Sequence, residues 1–188
     1  MDIEIRNFCA QDIQDITQLY NQFILKTPTT FDLEPYTIEQ RRDRWLQHYA
    51  QTGRHRLLVA QHNGQVIGYA SSSQFNTKAA YETSVETSIY IDPEFHGQGI
   101  GSSLYTGLFT ALSNEDVHRA YAGITIPNQS SIAIHRKFGF EQVGILREVG
   151  RKFDKYWDVA WYEKKLNSPL TISQQDRSGL SQESALSR

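Results

Sequence analysis

The 188-residue chain has one cysteine, Cys9, one methionine and five prolines. A single thiol excludes an intramolecular disulfide, and with it the small stapled folds of secreted proteins; this cysteine usage fits a reducing compartment. Neither sign of charge is in excess: 19 Lys and Arg face 21 Asp and Glu, for a net charge of -2. That balance supplies no basic field for nucleic acid or an anionic membrane surface. No apolar run is long enough to span a bilayer, and "MDIEIRNFCAQDIQDI" is acidic and amphipathic, unlike a secretory leader. The histidines form no HExxH pattern and no Cys/His cluster, so no metal is expected. The expected setting is the cytoplasm.

The length suits one domain with a substantial core, and aromatic residues are plentiful at 12%. "IEIRNF" alternates like a strand, and the next segment places Ile13, Ile16, Leu19, Tyr20, Phe23 and Ile24 on one helical face. "TPTTFDLEPYT" is punctuated by two prolines and reads as an ordered loop. Thr37 with Gln40 forms a capping-box pattern ahead of a helix expected over "IEQRRDRWLQHYAQ". "HNGQ" joins two strands as an Asn-Gly hairpin. Then come a strand at "TSVETSIYID", a helix at "GSSLYTGLFTALSN", a strand at "RAYAGITI", a short helix at "SSIAIHRKFG" and two closing strands. Residues 167–188 are polar and weakly patterned, and read as a tail beyond a domain of residues 1–166. The expected class is α/β (α+β): helices around a mixed, mostly antiparallel sheet.

"IYIDPEFHGQGIGSSLY" sets Gly97, Gly99 and Gly101 where a strand gives way to a helix. A plain structural turn is one reading. A dinucleotide fingerprint needs G-x-G-x-x-G, and the spacing here is G-x-G-x-G. A P-loop needs a lysine before the hydroxyl residue, and Ser102 and Ser103 follow Gly101 with none. The remaining reading is a pyrophosphate cradle made by the amides from Gly97 to Ser102 at a helix start, where the dipole favours an anion.

Strand, x-x-x-G-x-G and amphipathic helix resemble the acyl-CoA motif of the GNAT N-acetyltransferase superfamily, with His96 where that family usually has Gln or Arg. Downstream, "TIPNQSSIAIHRKFGFEQVG" resembles the second GNAT signature. "TTFDLEP", "AAYETSVETSIYI", "GQGIGSSLYTGL", "IPNQSSIAIHRKFGF" and "WDVAWYE" are together similar to the phosphinothricin (methionine sulfoximine) acetyltransferase branch. That similarity extends from Ile3 to Leu166. The resemblance implies the single-domain GNAT fold, acetyl-CoA as co-substrate, a small amine acceptor and a homodimer.

It also implies roles for particular residues. Glu86, on the face of its strand shared with Ser88 and Tyr90, matches the general base; on sequence alone it reads equally as a surface glutamate paired with a cation. The main chain of Ile89, Tyr90 and Ile91 would pair with the pantetheine arm. Gly97, Gln98, Gly99, Ile100, Gly101 and Ser102 would hold the pyrophosphate. His135 would protonate the leaving thiolate, although a lone histidine on a short helix is commonly a packing residue. Asn128 can both cap its helix and bond the cofactor. Phe31, Glu34, Lys78 and Tyr81 would line the acceptor pocket, Lys78 and Tyr81 suiting a carboxylate or phosphinate; equally, Phe31 reads as an anchor of its loop in the core and Lys78 as an exposed loop lysine. Trp157, Trp161 and Tyr162 would close the site or build a dimer interface, and Cys9 is structural.

Three functions fit these features. The leading one is acetyl transfer from acetyl-CoA to the primary amine of a compact amino-acid analogue in a ternary complex. Acetylation of a protein N-terminus or lysine would need an open groove, against which the aromatic "TPTTFDLEPYT" loop speaks. A non-catalytic acyl-CoA sensor would have no use for Glu86 and His135.

Overall fold

A computed structural model describes residues 2–45 and 47–166; the polar tail of residues 167–188 lies outside them. Among the described residues, seven strands form one sheet, flanked by four α-helices. In chain order these are β1 (Glu4–Asn7), α1 (Ile13–Lys26), α2 (Ile38–Trp45), β2 (Leu57–His62), β3 (Gln65–Gln74), β4 (Ser84–Ile91), α3 (Ile100–Leu112), β5 (Arg119–Ile126), α4 (Gln129–Lys137), β6 (Glu141–Lys152) and β7 (Lys155–Lys165). The spatial order is β1-β2-β3-β4-β5-β7-β6. Every registered pair is antiparallel except β4 with β5. A parallel neighbour requires a crossover, and α3 supplies it.

Both faces of the central strands are covered, so β2 reads as an unbroken apolar run in place of an alternation. Leu57 and Val59 pack with Ile16, Leu19, Tyr20 and Ile24 of α1, while Leu58 and Ala60 face Leu104, Tyr105 and Leu108 of α3. The hairpin β2–β3 turns on Asn63 and Gly64, both at positive φ (50° and 82°), as its Asn-Gly sequence requires. The β6–β7 hairpin uses the same left-handed pair at Phe153 and Asp154, each at φ 54°, without a glycine to announce it.

The capping box is present in both directions: Gln40 N donates to Thr37 Oγ1 (3.2 Å) and Thr37 N to Gln40 Oε1 (2.9 Å). The helix it opens stops at Trp45, short of the expected Gln51. The chain turns there so that Tyr49 reaches Ser73 (2.8 Å between hydroxyls) and His48 stacks on His55. Tertiary contacts thus override a helical pattern that carried no stop signal. Before it ends, α2 buries Arg41, whose guanidinium lies over the rings of Trp45 (3.8 Å) and Tyr20 (4.0 Å). Cys9 is structural, its thiol donating to the Asp12 carboxylate that Arg6 grips with two 2.7 Å bonds.

Removing one half of the capping box tests how firmly α2 is seated. Thr37→Ala should lower the unfolding free energy by about 1 kcal/mol in urea titrations.

Candidate active site

β4 and β5 pair over three registered positions only, Ser84 with Arg119, Val85 with Ala120 and Glu86 with Tyr121, and then part. β4 continues to Ile91 and β5 to Ile126, so the two strands form the arms of a fork with Glu86 at its root. A cavity of about 430 Å³ fills the fork. Its walls are Thr87 to Ile91 on one arm, Ala122 to Thr125 on the other, the start of α3 and one side of α4. Backbone groups of β4 that would face β5 beyond Glu86 have no strand partner there, which makes the arm available for hydrogen bonds to an extended ligand.

The α3 end of the cavity is the glycine segment. Gly97 and Gly99 sit at φ 77° and 81°, and a Cβ on either would meet nothing within 4 Å. Their conformation demands glycine, and their outer face is clear for a ligand to approach. Gly99 is the N-cap of α3, and the first α-helical bond within it runs from Ser103 N to Gly99 O, leaving the amides of Ile100, Gly101 and Ser102 free in the first turn. Gly101 has a different task from its two neighbours. A Cβ there would lie 2.6 Å from Ile134 Cδ1 and 3.1 Å from Ile91 Cδ1, so its smallness lets α3 pack against α4 and β4. Gln98 is exposed and outside the cavity wall. His96 bonds through Nε2 to the Ile91 carbonyl (3.0 Å), tying the loop back to the strand.

α4 closes the cavity. Asn128 caps it, accepting from Ser131 N at 3.1 Å. Lys137, in the last turn, lines the cavity and donates to Ser102 Oγ (2.7 Å), which brings a cation to the amide cradle. Sequence reasoning missed Lys137, because a lysine at a helix C-terminus ordinarily answers only to the dipole.

Glu86 carries the electrostatic signature of the site. Burial pushes its carboxyl above the ordinary range, and among the described residues no hydrogen bond or ion pair to its side chain offsets that. A paired surface glutamate would show the opposite. Glu86 stands next to the cavity wall, which begins on β4 at Thr87; His135 is part of the wall, yet the residue is 3% exposed and both ring nitrogens are engaged. Nδ1 bonds to the Ser131 carbonyl (2.7 Å), so it carries the hydrogen, and Nε2 lies 2.7 Å from Tyr105 Oη, from which it accepts. Burial lowers its pKa, opposed by the Ser131 bond. The imidazole is therefore neutral and locked in one tautomer, with no free N–H turned to the cavity. In this arrangement His135 is a cavity-wall residue held by Tyr105, and the acid role that the resemblance implies would require the Tyr105 bond to be exchanged.

The four residues expected to face the acceptor are not gathered at the cavity. Phe31, Glu34, Lys78 and Tyr81 are all exposed, outside the wall. Tyr81 instead joins Phe75, which stacks on Tyr121 at 4.3 Å beside the fork root. The loop of Phe31 meets the cavity at Thr29, and α1 meets it at Phe23. Of the three aromatic residues on β7, Tyr162 is buried in the core, Trp161 packs beside Gly123, and Trp157 bonds to the Lys152 carbonyl.

A forked parallel pair, with free amides at a helix start on one side and an unpaired, half-buried carboxylate at its root, is the arrangement that suits an acyl-CoA-dependent acyltransferase. Residues 5–161 match the Acetyltransferase (GNAT) domain. The chain is 50% identical over 167 residues to a phosphinothricin N-acetyltransferase of Streptomyces coelicolor, covering 88% of this chain and 97% of that one. It is 28% identical over 167 residues to an L-methionine sulfoximine/L-methionine sulfone acetyltransferase of Pseudomonas paraeruginosa, with 89% and 96% covered. Among solved structures, a GNAT superfamily phosphinothricin acetyltransferase from Sinorhizobium meliloti in complex with acetyl-CoA superimposes with a TM-score of 0.81 at 33% identity, covering 89% and 90%. The chain belongs to the GNAT acetyltransferase family, and it is an acetyl-CoA-dependent N-acetyltransferase.

The different tasks of the glycines can be separated by substitution. Gly99→Ala should leave a folded protein whose KM for acetyl-CoA rises tenfold or more, because the left-handed φ is strained for alanine and the new methyl faces the ligand. Gly101→Ala should instead shift the melting temperature, because its backbone is unstrained and the new methyl moves only the end of the Ile134 side chain. Steady-state kinetics beside thermal melts distinguish the two.

Proposed function

We propose that the enzyme acetylates the primary amine of a small amino-acid-like substrate of the phosphinothricin or methionine sulfoximine type, by direct attack in a ternary complex. The observation that carries this reading is Glu86: a desolvated, unpaired carboxylate at the root of the fork, next to the cavity that suits the pantetheine arm. The relatives' substrates support the acceptor class.

The cavity fits acetyl-CoA on its own terms. Left-handed Gly97 and Gly99, the free amides of Ile100 to Ser102 and the ammonium of Lys137 suit a pyrophosphate. The unpaired arm of β4 at Ile89 to Ile91 suits the amide-bearing pantetheine, with Asn128 at the opposite wall. Bound there, acetyl-CoA would supply the thioester carbon that the amine attacks; the C–N bond forms, the C–S bond breaks, and the second proton lost by the nitrogen goes to the departing thiolate to give the free thiol. Glu86 takes the proton from the ammonium, directly or through water, which its raised pKa suits. Phe31, Glu34, Lys78 and Tyr81 are assigned to the acceptor by the resemblance, a cation and a phenol suiting an anionic group; they lie exposed, outside the cavity wall.

A second copy of the chain completes this reading. β6 is the sheet edge, exposed from Glu141 to Val149, and it shows Val143, Ile145, Leu146 and Val149 to solvent. An edge strand so apolar is a surface that soluble proteins cover. We assign the covering partner as an identical chain, in an enzyme of the cytoplasm.

Thiol release from acetyl-CoA over a panel of phosphinothricin, methionine sulfoximine, ordinary amino acids and a peptide tests the acceptor class. Release with the amino-acid analogues is expected, and release with the peptide alone would transfer the function to protein acetylation. Glu86→Gln should cost about 10²–10⁴ in kcat. It should also stabilise the fold at pH 7.5. The folded carboxyl titrates above the unfolded one, so ionising it penalises the folded state; the penalty is absent below the unfolded value of 4.5 and grows as pH rises through the folded value. The gain in urea midpoint should therefore vanish at pH 4. Separately, Leu146→Asp should convert a dimer into a monomer in sedimentation velocity.

A further inference from the structure

The acceptor side of the site is built from a loop, and two residues more than a hundred positions away hold it. Thr30, Phe31 and Asp32 lie in the helix-free segment between α1 and α2. Tyr20 Oη of α1 donates to Asp32 Oδ2 (2.7 Å) and sits 2.6 Å from Thr30 Oγ1. From the opposite side comes the end of β6. Lys152 Nζ donates to the Thr30 carbonyl at 2.8 Å, and Lys152 is 4% exposed. Two residues earlier, the Phe31 ring lies directly on Gly150: a Cβ there would overlap the ring, with Phe31 Cδ2 at 2.6 Å.

Both features are unusual for a hairpin end. A lysine is among the residues least often buried, and here burial lowers its pKa while nearby Asp32 opposes the shift. Gly150 is not at positive φ, so its backbone does not call for glycine; the Phe31 ring does. Neither residue is needed by the β6–β7 turn itself, which is made by Phe153 and Asp154. Lys152 holds Thr30 and Gly150 seats Phe31, adjacent residues of one loop, and the residue just before them, Thr29, lines the cavity.

We propose that Gly150 and Lys152 are positioning residues for the amine acceptor, acting as a clamp that fixes Thr30 to Asp32 against the fork. The inference rests on the acceptor assignment above, since it treats this loop as a wall of the amine site. Gly150 gives the Phe31 ring its resting place, and Lys152 fixes the backbone on the N-terminal side of that ring. Tyr20 completes the grip from α1. Gly150 and Lys152 are not part of the wall of the acetyl-CoA cavity, so the consequence is selective: disturbing them weakens amine binding far more than acetyl-CoA binding.

Lys152→Met keeps the length and burial of the side chain and removes the donor. The amine KM should rise at least tenfold, with the acetyl-CoA KM within twofold of wild type and kcat at saturating amine within threefold. Gly150→Ala should show the same split, and the double variant should be no worse than the poorer single one, because both act through one loop. An amine KM within twofold of wild type in folded Lys152→Met overturns the proposal. So does an equal rise in the KM of acetyl-CoA. If Lys152→Met does not fold, Gly150→Ala decides by the same constants. If wild type acetylates no amine, the transferase reading fails, and the clamp is judged alone by amide hydrogen exchange at residues 29–33. Exchange there at least tenfold faster in Lys152→Met supports the clamp, and unchanged exchange refutes it.

Discussion

Much of the site depends on the parting of β4 from β5 after Glu86. A parallel pair buried in the middle of a sheet would normally run on, because each abandoned hydrogen bond leaves a polar backbone group to be satisfied. The chain accepts that loss over most of both strands. Thr87 recovers part of it by donating its hydroxyl to the Tyr121 carbonyl (3.2 Å) at the point of divergence. The rest is left open to a ligand. The sheet is made whole on either side of the fork: β3 pairs along β4 from Val85 to Ile91, and β7 pairs along all of β5. The fork is therefore rigidly framed, and the separation of its arms is built in.

The same frame explains why Glu86 stays ionisable only at a cost. Its strand position turns it away from the α3 core that receives Val85, Ile89 and Ile91, toward the aromatic side where Tyr90 meets Tyr20, Phe23 and Tyr69. That side has a cation, Arg41, but its guanidinium is committed to the rings of Trp45 and Tyr20 and does not pair with Glu86. Pairing the two would lower the carboxyl pKa and weaken its value as a base. Keeping the charges apart leaves Glu86 raised by desolvation alone.

Local signals carried through from sequence to structure. Left-handed Gly97 and Gly99, the Asn63-Gly64 turn and the Thr37–Gln40 box each depend on neighbours a few residues apart, and each stands where its pattern puts it. The motif itself did not reveal that Gly101 serves packing, because its constraint comes from Ile134 on another helix. The locked tautomer of His135 depends on Tyr105, 30 positions away and otherwise an ordinary core aromatic. Acceptor residues were the least legible. Phe31 and Glu34 were picked out by resemblance, but what seats Phe31 is a glycine near the other end of the domain, in a strand whose turn has no glycine signal. Periodicity reports which face is buried, and it is silent about contacts across such separations.

The two halves of the site are therefore held by different means. On the cofactor side, main-chain geometry dominates: glycine dihedrals, helix-start amides and unpaired strand edges, all fixed by secondary structure. On the side we assign to the amine, side chains such as Tyr20 and Lys152 grip a loop that has no regular backbone pairing of its own. A fixed donor fits the first arrangement, since every acceptor meets the same acetyl-CoA, and rigid backbone amides lose little entropy on binding it. A variable acceptor fits the second, since exchanging one clamp residue can reshape the amine wall without touching the fork. Acceptor range can in this way drift among proteins of this fold while the acyl-CoA half stays constant.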